Sequence, residues 1–284
     1  MKIIPLAFDS MGTRSMATFV ETKDVKALID PGVALAPARY GLPPHPIEIR
    51  RMEEQWAEIK KRATQADILI VTHYHYDHHD PEDTSIYKGK TVFLKNPVEN
   101  INMSQAKRSK YFLEKLEGLP REIIYSDGKE YTRGKTRIKF SAPMSHGLND
   151  RLGYVTEVLI EDIGAGKRFI HTSDVLGPST REQAEFIIRE KPDILYTDGP
   201  MYFSVSPAIE NLKRIIEECS IEKLVIDHHL LRDANWRAKI GEVFRVAEEK
   251  GGTKVMTAAE FAGKENDLLE AKRKELYRME PQSG

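Results

Sequence analysis

The chain has 284 residues, of which 31% are charged and 40% hydrophobic, with a formal net charge of -1. The apolar fraction excludes a disordered chain, and the charge balance excludes a polycation of the histone type, so any contact with nucleic acid must be a local patch. A single Cys, Cys219, excludes a disulfide framework and any multi-cysteine metal site, and fits a reducing cytoplasm. No apolar run approaches the length of a membrane span, and Met1–Ala7 is too short for a signal peptide, so neither is expected. Scarce Asn and Gln beside abundant Lys, Arg and Glu resemble a thermophile composition.

The first thirty residues read as strands. Lys2–Phe8, Met16–Glu21 and Val25–Ile29 are β-rich runs, the last two joined by the polar Thr22-Lys23-Asp24 of a hairpin. The third run stops at the turn Asp30-Pro31-Gly32, and residues 33–46 predict a long loop. Ile49, Met52, Trp56, Ile59 and Ala63 then follow at the spacing of one helix face. Asp67–Thr72 predicts a strand buried on both faces. A strand at Thr91–Leu94 and a helix over 100–117 come next. Residues 121–142 form short runs with Asp127-Gly128 and Arg133-Gly134 at the turns, which predicts antiparallel strands. Tyr154–Ile160 and Lys167–Thr172 flank Gly164-Ala165-Gly166 as a further hairpin.

The last third alternates helix and strand. Helix 181–190 precedes strand 193–197, and Ser206-Pro207 opens a helix that runs to Cys219. Cys219 lies at helical spacing from Leu212 and Ile215, which makes it a core thiol rather than a nucleophile. Strand 223–227 follows. Asp233 caps a helix with Trp236, Ile240, Val243 and Ala247 on one face and a stop at Gly251-Gly252, and the capping box Thr257–Glu260 opens a final helix. No internal repeat or low-complexity linker divides the chain, so 1–284 is expected to form one domain.

The histidines carry the chemistry. Four of the nine fall within residues 72–81, Thr-His-Tyr-His-Tyr-Asp-His-His-Asp-Pro. On an extended strand end, side chains at i and i+2 point the same way, so His73 and His75 can hold one ion together. Asp77 continues that parity, and His78 follows once the chain turns. One segment can thus serve two ions, and imidazole with carboxylate suits Zn²⁺, with Mn²⁺ or Fe²⁺ as alternatives. Further ligands must come from elsewhere, and His146, Asp174, His228 and His229 lie at loop positions after predicted strands. Adjacent residues of an extended segment point apart, so only one of His228 and His229 can ligate. By the same parity His171 faces away from Asp174 and reads as a packed histidine.

This HxHxDHH segment resembles that of the metallo-β-lactamase superfamily, whose binuclear members carry HxHxDH, then a distant His, a bridging Asp and a final His. The resemblance begins at Asp30-Pro31-Gly32, where the family has a similar turn, and reaches the last His near 228. Within the superfamily the chain looks like an archaeal group related to phosphodiesterases of the tRNA 3′-processing ribonuclease Z type. Lactone and thioester hydrolases are other relatives. The resemblance implies an α/β fold, a four-layer αββα sandwich of two mixed sheets flanked by helices. It implies that His73, His75 and His146 hold one ion, that Asp77, His78 and the final His hold the other, and that Asp174 bridges them. Processing ribonucleases have an Arg four residues after that His, and Arg232 lies four after His228, so His228 is the preferred ligand. His229 is then left as a catalytic candidate beside Asp77. Asp198, which ends strand 193–197, stands where those ribonucleases have an acid near the substrate and is a third candidate. No Cys lies near a motif, which disfavours the β-lactamases with a Cys ligand. His75 stands where redox di-iron relatives have Glu, which disfavours an oxygen-reducing role.

Two divalent ions about 3.5–4 Å apart would share a water and lower its pKa, giving a bridging hydroxide that attacks phosphorus or a carbonyl. The function so implied is a binuclear metal-dependent hydrolase, a phosphodiesterase acting on a small-molecule or nucleic-acid phosphodiester. The alternatives are a lactone, ester or thioester hydrolase at the same centre, and a protein that holds metal without turnover. Asp30 and Asp227 either accept from the outer ring nitrogens of ligand histidines or simply end strands and cap turns. His79 is surplus to the motif and is expected at the surface or behind a ligand. Tyr74 and Tyr202 are expected to pack, and Asp80-Pro81 to open a helix. Residues 105–140 hold ten Lys or Arg against five Asp or Glu. Lys107, Arg108 and Lys110 lead into a helix, while Arg133, Lys135, Arg137 and Lys139 alternate along a presumed strand. That region is either a phosphate-binding surface or a solvated strand face.

Overall fold

The computed structural model describes residues 1–279. Its first half contains β1 (Lys2–Phe8), β2 (Met16–Glu21), β3 (Lys26–Ile29), α1 (Pro46–Gln65), β4 (Ile68–Val71), β5 (Thr91–Leu94), α2 (Met103–Leu116) and β6 (Glu122–Tyr125). These strands form one sheet in chain order, antiparallel from β1 to β3 and parallel from β3 to β6. The second half begins with β7 (Glu130–Arg133), β8 (Thr136–Phe140), β9 (Met144–Ser145), β10 (Tyr154–Val155), β11 (Val158–Asp162) and β12 (Lys167–His171). It continues through α3 (Arg181–Glu190), β13 (Ile194–Asp198), α4 (Ser206–Glu218), β14 (Lys223–Asp227), α5 (Trp236–Lys239), α6 (Gly241–Lys250), β15 (Lys254–Met256), α7 (Ala258–Phe261) and α8 (Arg273–Met279). The second sheet has the order β15-β14-β13-β12-β11-β8-β7, while β9 and β10 pair by themselves.

Strand alternation builds four layers. In β4, Ile68 and Ile70 face the other sheet, whereas Leu69 and Val71 face outward onto Ile59 and Ala63 of α1 and Phe112 of α2. In the second sheet Tyr196 and Val225 point inward. Leu195, Leu224 and Ile226 point outward onto Ile187 of α3, Leu212 and Ile215 of α4 and Val243 of α6. The result is helices, sheet, sheet, helices, the expected αββα sandwich with both sheets mixed. No helix of the described residues is long and apolar enough to cross a membrane.

Several local expectations change. Residues 122–125 do not join an antiparallel set; β6 is the parallel edge strand of the first sheet, next to β5. Gly134 and Lys135 form the turn between β7 and β8, so Arg133, Lys135, Arg137 and Lys139 do not lie along one strand. Arg137 and Lys139 do share a face of β8, but each is paired with a carboxylate, Glu161 of β11 or Glu190 at the end of α3. Arg137 lies 2.6 Å from Glu161, and Lys139 2.7 Å from Glu190. Those pairs offset the charge of the strand and favour the solvated strand face. The predicted helix after Asp233 breaks at Ile240 into α5 and α6, and the capping box at Thr257 opens only the short α7. Asp80 opens no helix; its carboxylate accepts from the Glu82 N–H at 2.8 Å in a turn.

The start of α1 departs from its apolar face. Ile49 is exposed, while Glu48 is fully buried. The reason is α8, whose buried Arg273 donates twice to Glu48, each bond 2.8 Å. Glu48 also accepts from the His45 N–H at 2.8 Å and so closes the N-terminal cap of α1. Removing one partner leaves the other charge buried alone. Arg273→Met should therefore cost about 3–5 kcal/mol in guanidinium unfolding. Adding Glu48→Gln in the same chain should restore part of that loss.

Candidate metal centre

The candidate residues lie at one rim because strand direction puts them there. β1, β3 and β4 run parallel in the first sheet, and β8, β12, β13 and β14 run parallel in the second. Their carboxyl ends are followed by Asp9, Asp30, His73, His146 and Asp174, end in Asp198, or lead into His228. Three residues here adopt left-handed backbone: Asp30 (φ 49°), Ser173 (φ 59°) and His228 (φ 56°). Each such conformation costs about 1–3 kcal/mol and turns the chain sharply out of its strand. Gly32 lies so close to the motif that a Cβ there would collide with the backbone of His78 and His79. That contact explains the glycine in the turn.

His73, His75, His146 and Asp174 each offer a ligand atom, and these atoms lie within 4.8 Å of one another. Asp77, His78 and His228 form a second such group, and Asp174, His228 and His229 a third. His228–Arg232 is a 3-10 turn rather than an extended segment, so the two adjacent histidines do not point apart as expected. Asp174 stands between the first two groups. Its Oδ2 is 3.2 Å from His146 Nε2 and 3.6 Å from His73 Nε2. Its Oδ1 is 3.2 Å from His78 Nε2 and 3.6 Å from His228 Nε2. Asp77 Oδ2 is 3.5 Å from His228 Nε2. The Nε2 atoms of His73 and His78 and the Oδ1 of Asp174 are buried without any hydrogen bond. Convergent unsatisfied nitrogen and carboxylate donors are what a divalent cation requires, so the residues fit the expected metals.

Three of the outer ring nitrogens are held, whereas His146 Nδ1 is buried without a hydrogen bond. His78 Nδ1 meets Asp30 Oδ2 at 2.8 Å, His228 Nδ1 meets Asp9 Oδ2 at 2.6 Å, and His73 Nδ1 meets Ser173 Oγ at 3.2 Å. Such contacts set the tautomer and leave Nε2 for the ion. Asp9 also accepts from Arg232 Nε at 3.0 Å, and Arg232 Nη2 reaches His228 Nε2 at 3.1 Å. Burial opposes charge throughout, yet at Asp174 the His78 and His228 imidazoles outweigh it and hold the carboxyl well below its usual range. Burial also pulls His228 down, but Asp9 and Asp174 push it up to about 10. Burial, then His146, lowers His75 to about 4.

Some residues sit elsewhere than expected. Asp227 touches no ring; it accepts from the backbone N–H groups of Ser10, His228 and Ala258 at 2.8–3.0 Å. Asp9 takes the role foreseen for it, a residue whose only sequence signal is an Asp ending the first strand. His79 takes the second of its two expected places, behind a ligand rather than at the surface. It is buried against Phe112, with ring centroids 4.5 Å apart, and its Nδ1 meets the His75 carbonyl. His171 packs as expected, with Nε2 2.9 Å from the Met16 carbonyl. Tyr74 is fully buried and donates to the Lys95 carbonyl. Asp198 is fully buried rather than facing a substrate. It accepts from the N–H groups of Leu176 and Gly177 and lies 3.1 Å from His229 Nδ1. His229 in turn lines a cleft of about 530 Å³ with His75, Asp77, His146 and Asp174.

The fold and this cluster are those of the metallo-β-lactamase superfamily with a candidate metal site, and that superfamily's model matches residues 12–78. A UPF0282 protein of Korarchaeum cryptofilum is 50% identical over 99% of this chain and 96% of its own length, so the chain belongs to the UPF0282 family. Among solved structures, Igni18, a metallo hydrolase from the hyperthermophilic archaeon Ignicoccus hospitalis, is similar in fold. It has a TM-score of 0.53 at 17% identity, over 90% of this chain and 93% of that one. The short form of human tRNase Z aligns with a TM-score of 0.51 at 12% identity, over 80% of this chain and 92% of its own.

Two outcomes follow from the groups behind the centre. Asp9→Asn weakens the hold on His228 and Arg232 together, so chelator competition should show metal affinity lowered about 10–100-fold. Glu157 is buried with neither carboxylate oxygen bonded, and burial and then Asp198 raise its pKa well above the usual 4.5. The folded state therefore keeps a proton that the unfolded chain releases above that pH, and stability falls as pH rises from there. Denaturant unfolding at pH 5 and pH 8 should show a smaller loss in Glu157→Gln than in the unaltered protein.

Proposed function

We propose that the chain is a binuclear metal-dependent phosphodiesterase, cytoplasmic and built as one domain over 1–284, with Zn²⁺ as the favoured metal. The observation that carries this reading is Asp174, whose two oxygens face two separate histidine groups at 3.2–3.6 Å. His73, His75 and His146 would hold one ion, and Asp77, His78 and His228 the other, with Asp174 shared. Two such ions supply Lewis acidity and make a hydroxide nucleophile available at neutral pH.

The chain's own groups then manage protons. Asp77 lines the cleft and would stay an ionised ligand, because against burial His78 and then His228 hold its carboxyl below the usual range. His229 presents Nε2 to the cleft, takes the proton given up by the attacking water and passes it to the leaving oxygen. Asp198, 3.1 Å from His229 Nδ1, holds the ring for that transfer. Asp198 is thus a positioning residue. Arg108 on the cleft wall, which pairs with no carboxylate among the described residues, favours an anionic substrate and so supports a phosphodiester over a neutral lactone or ester.

Protein loaded with Zn²⁺ or Mn²⁺ should cleave bis-(p-nitrophenyl) phosphate. His75→Ala should lose metal and at least about 100-fold in rate, since a ligand contributes more than the groups behind it. Turnover of lactones or thioesters with no diester cleavage would move the assignment to that alternative. Bound metal without any turnover would leave a binding protein, and failure to bind any divalent ion would end the metal reading.

A further inference from the structure

Three arginines line the cleft, and two are already neutralised. Arg14 donates twice to Glu270, at 2.6 and 2.7 Å, and Arg232 is buried on Asp9. Arg108 differs. It pairs with no carboxylate among the described residues, and its guanidinium lies over the Tyr76 ring, 4.9 Å from the centroid. Tyr76 stands between His75 and Asp77, so the stacked cation is fixed relative to both. α2 is itself seated on the histidine segment. One turn beyond Arg108, Phe112 packs on His79, and Tyr111 donates to Glu82 at 2.8 Å.

This placement has a chemical meaning. A guanidinium stacked by its face on an aromatic ring keeps its edge N–H groups free to fork onto phosphate. Arg108 is half-buried, so its charge is less screened than one on an open surface. The scissile group belongs at Asp77, Asp174 and His229, on the cleft floor. Arg108 stands on the wall beside them, free to hold a different part of the substrate.

We propose that Arg108, held on Tyr76, anchors a phosphate flanking the scissile bond, so that preferred substrates are phosphodiesters bearing a second phosphate; this rests on the phosphodiesterase reading above. The second phosphate is a terminal monoester on a small molecule or the next diester of an oligonucleotide, and the same fork receives both.

Thymidine 5′-(p-nitrophenyl phosphate) tests this when compared with its 3′-phosphate and with its 3′-thymidylyl diester, following p-nitrophenolate release by the metal-loaded protein. Either flanking phosphate should raise kcat/KM about tenfold, mainly through KM; Arg108→Met should bring that ratio to about one and Arg108→Lys should keep part of it. A gain from the monoester alone upholds the anchor for terminal phosphates, and a gain from both upholds it for oligonucleotides. A ratio of one in the unaltered protein, or a ratio that survives in Arg108→Met, overturns it. Calorimetric titration of thymidine 3′,5′-bisphosphate, which has no scissile diester, separates the two proposals. If no diester is cleaved but the bisphosphate binds about tenfold more weakly to Arg108→Met, the phosphodiesterase reading falls and the anchor stands. Equal binding by both proteins overturns the anchor.

Discussion

A buried carboxylate surrounded by imidazoles is the constraint on which the rest of this structure turns. Asp174 has almost no access to water, and neither of its oxygens has a conventional backbone cap. A buried charge of that kind is tolerated only when opposite charge converges on it. Protonated His78 and His228 can supply that charge, and so can divalent cations, because both meet the same lone pairs. Metal binding at such a site is therefore an exchange of cations for protons.

Holding that arrangement requires both sheets. His73, His75, Asp77 and His78 follow β4 of the first sheet, Asp174 and His228 follow strands of the second, and His146 follows β9 of the separate β9–β10 pair. The contacts behind them cross the same seam. Asp9, at the end of β1, holds His228 and Arg232, and Met16 of β2 meets His171 of β12. Asp227 joins the end of β14 to Ser10 and to the start of α7. The strained backbone at Asp30, Ser173 and His228 persists because these crossing bonds leave it no alternative.

The same accounting explains why a chain this rich in charge leaves few free charges near the cleft. Arg137, Lys139 and Arg168 are satisfied by Glu161 and Glu190 on the outer face of the second sheet. Arg273 is consumed by Glu48, and Arg14 by Glu270. Counting basic residues along the sequence overstates the surface open to an anion, because it cannot see the carboxylates that fold back onto them.

The sequence by itself determined the alternation of strand and helix, the HxHxDHH segment and the further candidates His146, Asp174 and His228. These are local properties: side-chain period in a strand, turn chemistry at Asp30-Pro31-Gly32, and donor types that suit a divalent ion. Tertiary structure alone decided which groups stand behind them. Asp9 and Asp227 look alike in sequence, each an acid at a strand end, yet one holds an imidazole and the other three backbone N–H groups. Likewise β6 joined the first sheet, Glu48 displaced Ile49 from the buried face of α1, and the basic run at 133–139 split between a turn and a strand. For Asp9, Glu48 and Arg137 the partner lies far along the chain, at Arg232, Arg273 and Glu161, and no local pattern encodes a contact across that separation.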